Sequence, residues 1–313
     1  VVKCIKDKLK DEPVSVYMEQ MVNSTLRAQG HSTRIGAIAN HLPDYYDPAY
    51  VNTDLDLKAL AKGLLTGKSG RLCLYGPPGT GKTFVAEKIA KHLIGGGDGF
   101  SEIVQFHPSY SYEDFIQGIR PISKSDGSLT YPVVPGRFLE FCQKSENSSG
   151  TCVLIVDEIN RANLSRVFGE LMYLLEYRDR EVPLASGGKL RIPQNVRIVG
   201  TMNTADRSIA LVDHALRRRF AFLALSPDYN ILRKYHTKTD FDPSSLIDLL
   251  RRLNAQIGDS HYELGISFFL RDGIEEQIGD IWKMEIEPYL EEYFFDQPDR
   301  VEEFRWNKVK DSL

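Results

Sequence analysis

At 313 residues, with 42% hydrophobic and 26% charged side chains, the chain has the usage of a globular protein and length for one large domain plus a smaller one. Its net charge of −4, from 39 basic and 43 acidic residues, excludes the overall positive excess of a dedicated DNA-binding domain, so any nucleic acid is gripped by another domain or subunit, or by a local patch such as a ring pore. The opening residues Val1-Val2-Lys3-Cys4-Ile5-Lys6-Asp7-Lys8 lack the apolar run of a signal peptide or membrane span, which argues for a cytoplasmic location and against a membrane partner.

Residues 1–53 read as a polar helical segment and a linker, broken by Pro43 and Pro48. From residue 54 to 226, apolar runs at 72–75, 103–106, 152–156, 196–202 and 220–225 alternate with helical segments. That alternation predicts an α/β domain with a parallel sheet covered on both faces. Ala86, Ile89, Ala90 and Leu93 fall at helical spacing, as do Leu164, Val167, Phe168 and Leu171, and each set predicts one helix with a stripe toward the sheet. Two Gly-, Pro- and Ser-rich segments, 121–135 and 181–193, interrupt the pattern. They read as projecting β-hairpins, with plain surface loops as the alternative. Beyond Pro227 the spacing of Leu246, Leu249, Leu250, Leu253 and Ile257 predicts a helical second domain over 227–313. The four cysteines, Cys4, Cys73, Cys142 and Cys152, show no paired metal-ligand spacing and read as buried free thiols.

The chemistry concentrates at three predicted strand ends. Gly76-Pro77-Pro78-Gly79-Thr80-Gly81-Lys82-Thr83 follows an apolar strand and opens an amphipathic helix. In that context the glycines let successive N–H groups curl around a phosphate, and the helix dipole favours the anion. Lys82 is expected to reach the β- and γ-phosphates, and the Thr83 hydroxyl to ligate Mg²⁺. The apolar run 153–156 ends in Asp157 and Glu158. Alone, such a pair is usually a solvated strand end; beside a phosphate loop, Asp157 fits a metal-shell ligand and Glu158 the group that orients and deprotonates the attacking water. At the third strand end, Asn203 fits two roles: an amide holding that water or the γ-phosphate, or the cap of the next helix, for which Ser208 is equally suited. The run Arg217-Arg218-Arg219 reads either as a solvated charge cluster or as guanidinium groups stabilising charge on a phosphoryl group, including one bound by a neighbouring subunit.

This order of phosphate loop, Asp-Glu strand end, Asn strand end, arginine cluster and helical lid resembles the AAA+ superfamily. Within it, Met202-Asn203-Thr204-Ala205-Asp206-Arg207-Ser208 is similar to the signature of McrB-type GTPases. So are Ser109-Tyr110-Ser111-Tyr112-Glu113-Asp114-Phe115-Ile116-Gln117-Gly118, Asp157-Glu158-Ile159-Asn160-Arg161-Ala162-Asn163-Leu164-Ser165 and Leu290-Glu291-Glu292-Tyr293-Phe294-Phe295-Asp296. The resemblance implies a homo-oligomeric, usually hexameric ring that hydrolyses GTP in preference to ATP. It also implies a separate McrC-type endonuclease subunit and translocation of modified foreign DNA so that the nuclease can cut. It places Asn203 and Asp206 near the hydrolytic water, makes Arg161 a link from the Asp-Glu strand end to its neighbours, and has Arg218 and Arg219 act in trans.

Some expectations depart from that pattern. The family's modified-base-reading domain is not expected in the short segment ahead of the core, so DNA specificity would come from elsewhere. Arg271 is a weak match to a lid arginine that senses the γ-phosphate. The stretch Asn203-Thr204-Ala205-Asp206 is superficially like the guanine-reading N-K-x-D of small GTPases, yet Thr stands in place of Lys. Two other readings compete: an ATP-driven remodeller of protein complexes, and a scaffold that nucleotide merely holds together. Glu158, Asn203 and the arginines weigh against the scaffold, which needs Lys82 but no water-activating group.

Overall fold

A computed structural model describes residues 70–206 and 214–313; the leading segment 1–53, the stretch 54–69 and the signature residues Arg207 and Ser208 lie outside the described residues. The described residues form two compact units. Residues 70–75, 83–206 and 214–224 belong to one, Gly76–Lys82 and Leu225–Leu313 to the other.

The first unit is built on strands β1 (Arg71–Gly76), β2 (Ser101–Gln105), β7 (Cys152–Asp157), β10 (Val196–Asn203) and β11 (Ala221–Ala224), in the order β11-β1-β10-β7-β2. The β1–β11, β10–β7 and β2–β7 pairs are parallel. Five predicted apolar runs thus become one parallel sheet. Strand β7, which lies between β10 and the edge strand β2, is buried from Cys152 to Val156, the continuous apolar reading of a strand covered on both faces, while β2 leaves Ile103 half exposed. Helix α1 (Lys82–Ile94) buries Ala86, Ile89, Ala90 and Leu93 as their spacing requires.

Both interrupting segments are hairpins. After the short helix α2 (Tyr112–Phe115), strands β3 (Gln117–Ile119), β4 (Ile122–Ser123), β5 (Leu129–Thr130) and β6 (Val133–Pro135) pair antiparallel, β3 with β6 and β4 with β5. The hairpin begins a few residues before the predicted segment. Helix α3 (Arg137–Glu146) follows, and later β8 (Glu181–Pro183) pairs with β9 (Lys189–Arg191). Cys73, Cys142 and Cys152 are buried free thiols. Burial raises the Cys73 and Cys142 thiols well above their ordinary range, so they stay neutral. Cys4 lies outside the described residues.

One helix predicted from spacing is two. Leu164, Val167, Phe168 and Leu171 are all buried, yet the chain forms α4 (Leu164–Phe168) and α5 (Leu171–Glu176), separated at Gly169 with φ 46° and ψ −123°. Apolar spacing reports which face is covered, not whether the backbone between is continuous. A Cβ on Gly169 would stand 2.7 Å from the Tyr112 ring. Helix α6 (His214–Arg219) then leads into β11.

The second unit is helical: α7 (Tyr229–His236), α8 (Ser244–Ile257), α9 (Ile274–Ile281), α10 (Glu287–Tyr293), α11 (Asp299–Glu302) and α12 (Trp306–Val309). Leu246, Leu249, Leu250, Leu253 and Ile257 of α8 are buried in its core with Trp282, Leu290 and Phe294. Between α9 and α10 the residues Trp282–Ile286 form a π-turn just ahead of Pro288, which has no N–H to continue the helical ladder.

Gly169→Ala is expected to destabilise the protein by about 2–3 kcal/mol, because a side chain there meets both a forbidden backbone region and the Tyr112 ring. Urea denaturation checks this, and a loss below about 0.5 kcal/mol would show that the break between α4 and α5 is not constrained by Gly169.

Candidate functional site

The phosphate loop runs from the end of β1 into α1. Gly79 and Gly81 hold φ of 75° and 77°, which lets the loop double back within a few residues. Pro78 has no N–H, so the peptide between Pro77 and Pro78 offers only its carbonyl. That carbonyl accepts from Lys82 Nζ at 2.7 Å and from Thr80 Oγ1 at 3.0 Å. Lys82 is buried to 9% exposure, its charge drawn in along the loop.

Thr83, in the first turn of α1, donates its hydroxyl to Asp157 Oδ1 at 2.8 Å. The same carboxylate oxygen accepts from Thr201 Oγ1 at 2.5 Å, and Thr201 Oγ1 accepts the Glu158 backbone N–H at 3.1 Å. Thr201, buried inside β10, therefore ties the β7 and β10 strand ends together and joins Asp157 to the backbone of Glu158. Glu158 sits at φ 52° and ψ 45°, the left-handed region, and among the described residues no other non-glycine has positive φ. Such a conformation costs about 1 kcal/mol or more and persists because the surroundings over-determine it.

From Glu158 a chain of ion pairs leads outward. Arg161 Nε lies 3.5 Å from Glu158 Oε2, and its Nη2 lies 3.5 Å from Asp206 Oδ2. Beside them the buried Asn160 amide donates to the Asn203 carbonyl at 3.0 Å, while Asn203 Oδ1 accepts the Ala205 N–H at 3.2 Å. Asn203 thus closes an Asx turn over Thr204 and Ala205, neither of which is helical. The structure brings Thr83, Asp157, Glu158, Arg161, Asn203 and Asp206 into one contiguous network.

The two named arginines differ. Arg219 is largely buried, and its Nη2 binds Glu176 Oε2 at 2.8 Å while its carbonyl accepts from Arg71 Nε at 2.5 Å. Arg218 is exposed. Arg219 is thus held against Glu176 and Arg71, and Arg218 is the more exposed of the pair. Arg271 is partly buried just after the short 3-10 turn Ser267–Phe269.

Sequence reasoning missed Thr201, Asn160 and Glu176. Thr201 stands within the apolar run 196–202, but an alcohol inside an apolar strand carries no signal until its strand neighbour is known. Glu176, likewise, is an ordinary helix-end acid until α5 is set beside α6.

The sequence matches the AAA domain (dynein-related subfamily) over residues 71–220 and the McrB alpha-helical lid domain over residues 245–302. It is 39% identical over 269 residues to the Type IV methyl-directed restriction enzyme EcoKMcrB subunit of Escherichia coli (strain K12), covering 77% of this chain and 57% of that protein. The chain belongs to the McrB-type AAA+ proteins. A second relative, the Type II restriction enzyme BsuMI component YdiS of Bacillus subtilis (strain 168), is 29% identical over 206 residues, 53% of this chain and 59% of that one. Lon protease 1 of Syntrophotalea carbinolica is 33% identical over 193 residues, 58% of this chain and 22% of that protein. The chain spans less than two thirds of each restriction relative. As an AAA+ domain of McrB type it carries the core of a nucleoside-triphosphate hydrolase, and among the described residues no helix is long and apolar enough to cross a membrane.

The McrB-type family blocks divide by what they do. Residues 157–165 and 202–206 build the network above, whereas Leu290 and Phe294 in the late block fill the lid core and Tyr293 Oη donates to the Ile257 carbonyl.

Thr201→Val keeps the volume and deletes the bridge, leaving the Glu158 N–H without this acceptor. A stability loss of about 1–2 kcal/mol and a fall in turnover of about tenfold or more are expected. Turnover equal to wild type in a folded variant would remove Thr201 from the site.

Proposed function

We propose that this chain is the GTP-hydrolysing motor subunit of a restriction complex, working as a hexameric ring with a separate McrC-type endonuclease subunit to translocate and cut modified foreign DNA. The observation that carries hydrolysis, beyond nucleotide binding, is the hydrogen-bonded series Thr83, Asp157, Thr201, Glu158. A nucleotide-stabilised scaffold has use for the phosphate loop and Thr83 but none for a carboxylate held in a strained backbone conformation and joined to Thr83 through Asp157 and Thr201.

Thr83 and Asp157 suit Mg²⁺: they are two hard oxygen donors at hydrogen-bond distance, few in number, as that ion prefers when phosphates and water complete its shell. When bound, Mg²⁺ neutralises charge on the β- and γ-phosphates. The chain's own residues supply the rest. Lys82 and the loop N–H groups hold the phosphates, and Glu158 takes the proton of the attacking water. Arg161 restrains the Glu158 carboxylate from the side of Asp206, and the Asx turn of Asn203 sets the position of the segment carrying that acid. Arg218 acts on the γ-phosphate of the neighbouring subunit, with Arg219 anchored to Glu176 as its rigid base.

Family membership and the Escherichia coli relative, a methyl-directed restriction enzyme subunit, support the role in restriction; the preference for GTP, the McrC-type partner and the DNA track are what the McrB-type resemblance implies. DNA specificity comes from outside the residues of this core. The similarity to Lon protease 1 favours a second reading, an ATP-driven remodeller of protein complexes.

Steady-state phosphate release with GTP and ATP side by side, with Glu158→Gln as the blank, tests the reading. GTP preference and at least about a hundredfold loss in Glu158→Gln are expected. Preference for ATP would move the assignment to the remodeller, and full turnover in Glu158→Gln would remove Glu158 from the mechanism. Rings mixed from Glu158→Gln and Arg218→Ala subunits should regain activity at interfaces with both wild-type halves; no recovery at any ratio would count against a shared site.

A further inference from the structure

Resting on the reading of the phosphate loop as the nucleotide site, we propose that Asn254 is a positioning residue: through the lid segment 264–267 it fixes the direction in which the loop's N–H groups point. Asn254 lies on α8, 7% exposed. Both ends of its amide are spent on one residue's backbone. Oδ1 accepts the Leu264 N–H at 2.7 Å and Nδ2 donates to the Leu264 carbonyl at 3.0 Å. Nδ2 also donates to Tyr229 Oη at 2.9 Å, which holds the amide's orientation.

The other side of the same lid segment grips the phosphate loop. The Gly265 N–H donates to the Pro78 carbonyl at 3.0 Å, and the Ser267 N–H donates to the Gly79 carbonyl at 2.9 Å. The approach is close enough that a Cβ on Gly265 would lie 2.0 Å from the Gly79 carbonyl carbon, and the Phe268 ring closes over Gly79.

A trans peptide is planar, with its C=O and N–H pointing in opposite directions. With the Pro78 and Gly79 carbonyls turned toward the lid segment, the N–H groups of the same two peptide units, those of Gly79 and Thr80, point away from it. The preceding peptide presents its carbonyl to Lys82 instead. Donor orientation in the loop is therefore set from behind by lid backbone, and Asn254 holds that backbone. The coupling is reciprocal: phosphates that engage Gly79 and Thr80 also stabilise the lid segment.

The test uses the full chain, Asn254→Ala and Gly265→Ala, with Lys82→Ala as reference, and fluorescent GTP and ATP analogues as probes. Misdirected donors weaken phosphate binding in ground and transition states alike, so Kd and KM should rise about tenfold while kcat at saturation stays within about threefold. A purely structural role would lower Tm and leave Kd of the folded protein unchanged. A Kd within twofold of wild type in either folded variant overturns the proposal. If neither variant folds, hydrogen exchange of the unmodified chain decides. GTP with Mg²⁺, or ATP where that is the nucleotide bound, should slow exchange across 264–267, and unchanged exchange overturns the proposal. Loss of binding in Lys82→Ala with none in Asn254→Ala sinks this inference alone, whereas binding retained by Lys82→Ala sinks the nucleotide-site reading beneath it.

Discussion

The organising constraint is a carboxylate at the end of a buried strand. From Cys152 to Val156, β7 is wholly enclosed, so Asp157 is the first position where charge can reach solvent and ligand. Its Oδ1 accepts two hydroxyls, from Thr83 at the start of α1 and from Thr201 inside β10. One oxygen thereby registers a helix and two strands, and a shift in any of them breaks a partly buried charge-assisted bond. Glu158, next in the chain, sits in the left-handed region with its N–H committed to the very hydroxyl that binds Asp157.

Around that centre the protein uses polar side chains mainly to hold backbone. Asn160 binds the Asn203 carbonyl, Asn203 binds the Ala205 N–H, and Asn254 binds both backbone groups of Leu264. A carboxamide suits this task, since it offers a donor and an acceptor without a charge to desolvate. The arginines do a different job. Arg161 spans Glu158 and Asp206, and Arg219 spans α6 and α5 through Glu176, each linking elements distant in sequence.

The hairpin over 117–135 contrasts with both. Its side chains Ile119, Ile122, Leu129, Tyr131 and Val133 are substantially exposed, on strands of two or three residues that have no sheet behind them. The helical unit, by comparison, encloses Trp282, Phe269 and Leu290 almost completely. Apolar surface is thus retained along the insertion, whereas among the described residues of the lid the exposed large apolar side chains are Met284 and Phe295.

What was legible in the sequence was whatever local pattern dictates. Short continuous apolar runs bounded by turn formers fit strands of a covered sheet, residues at helical spacing show which face is buried, and a glycine-rich loop between strand and helix has one well-understood use. Those features pointed to the α/β domain, the helical lid and the phosphate loop with its paired acids, and favoured hairpins over plain loops in the two insertions. Tertiary structure decided what depends on partners remote in the chain. Gly169 divided a helix that spacing alone made continuous, since only contact with Tyr112 and the local dihedrals show the break. Thr201 became part of the site because strand order sets β10 beside β7. Arg218 and Arg219, equivalent as a run of basic residues, were separated by Glu176, which lies over forty positions earlier and reaches only one of them. Hydrogen bonds are short-ranged and directional, so which polar groups share one is settled only when the strands and helices that carry them are packed.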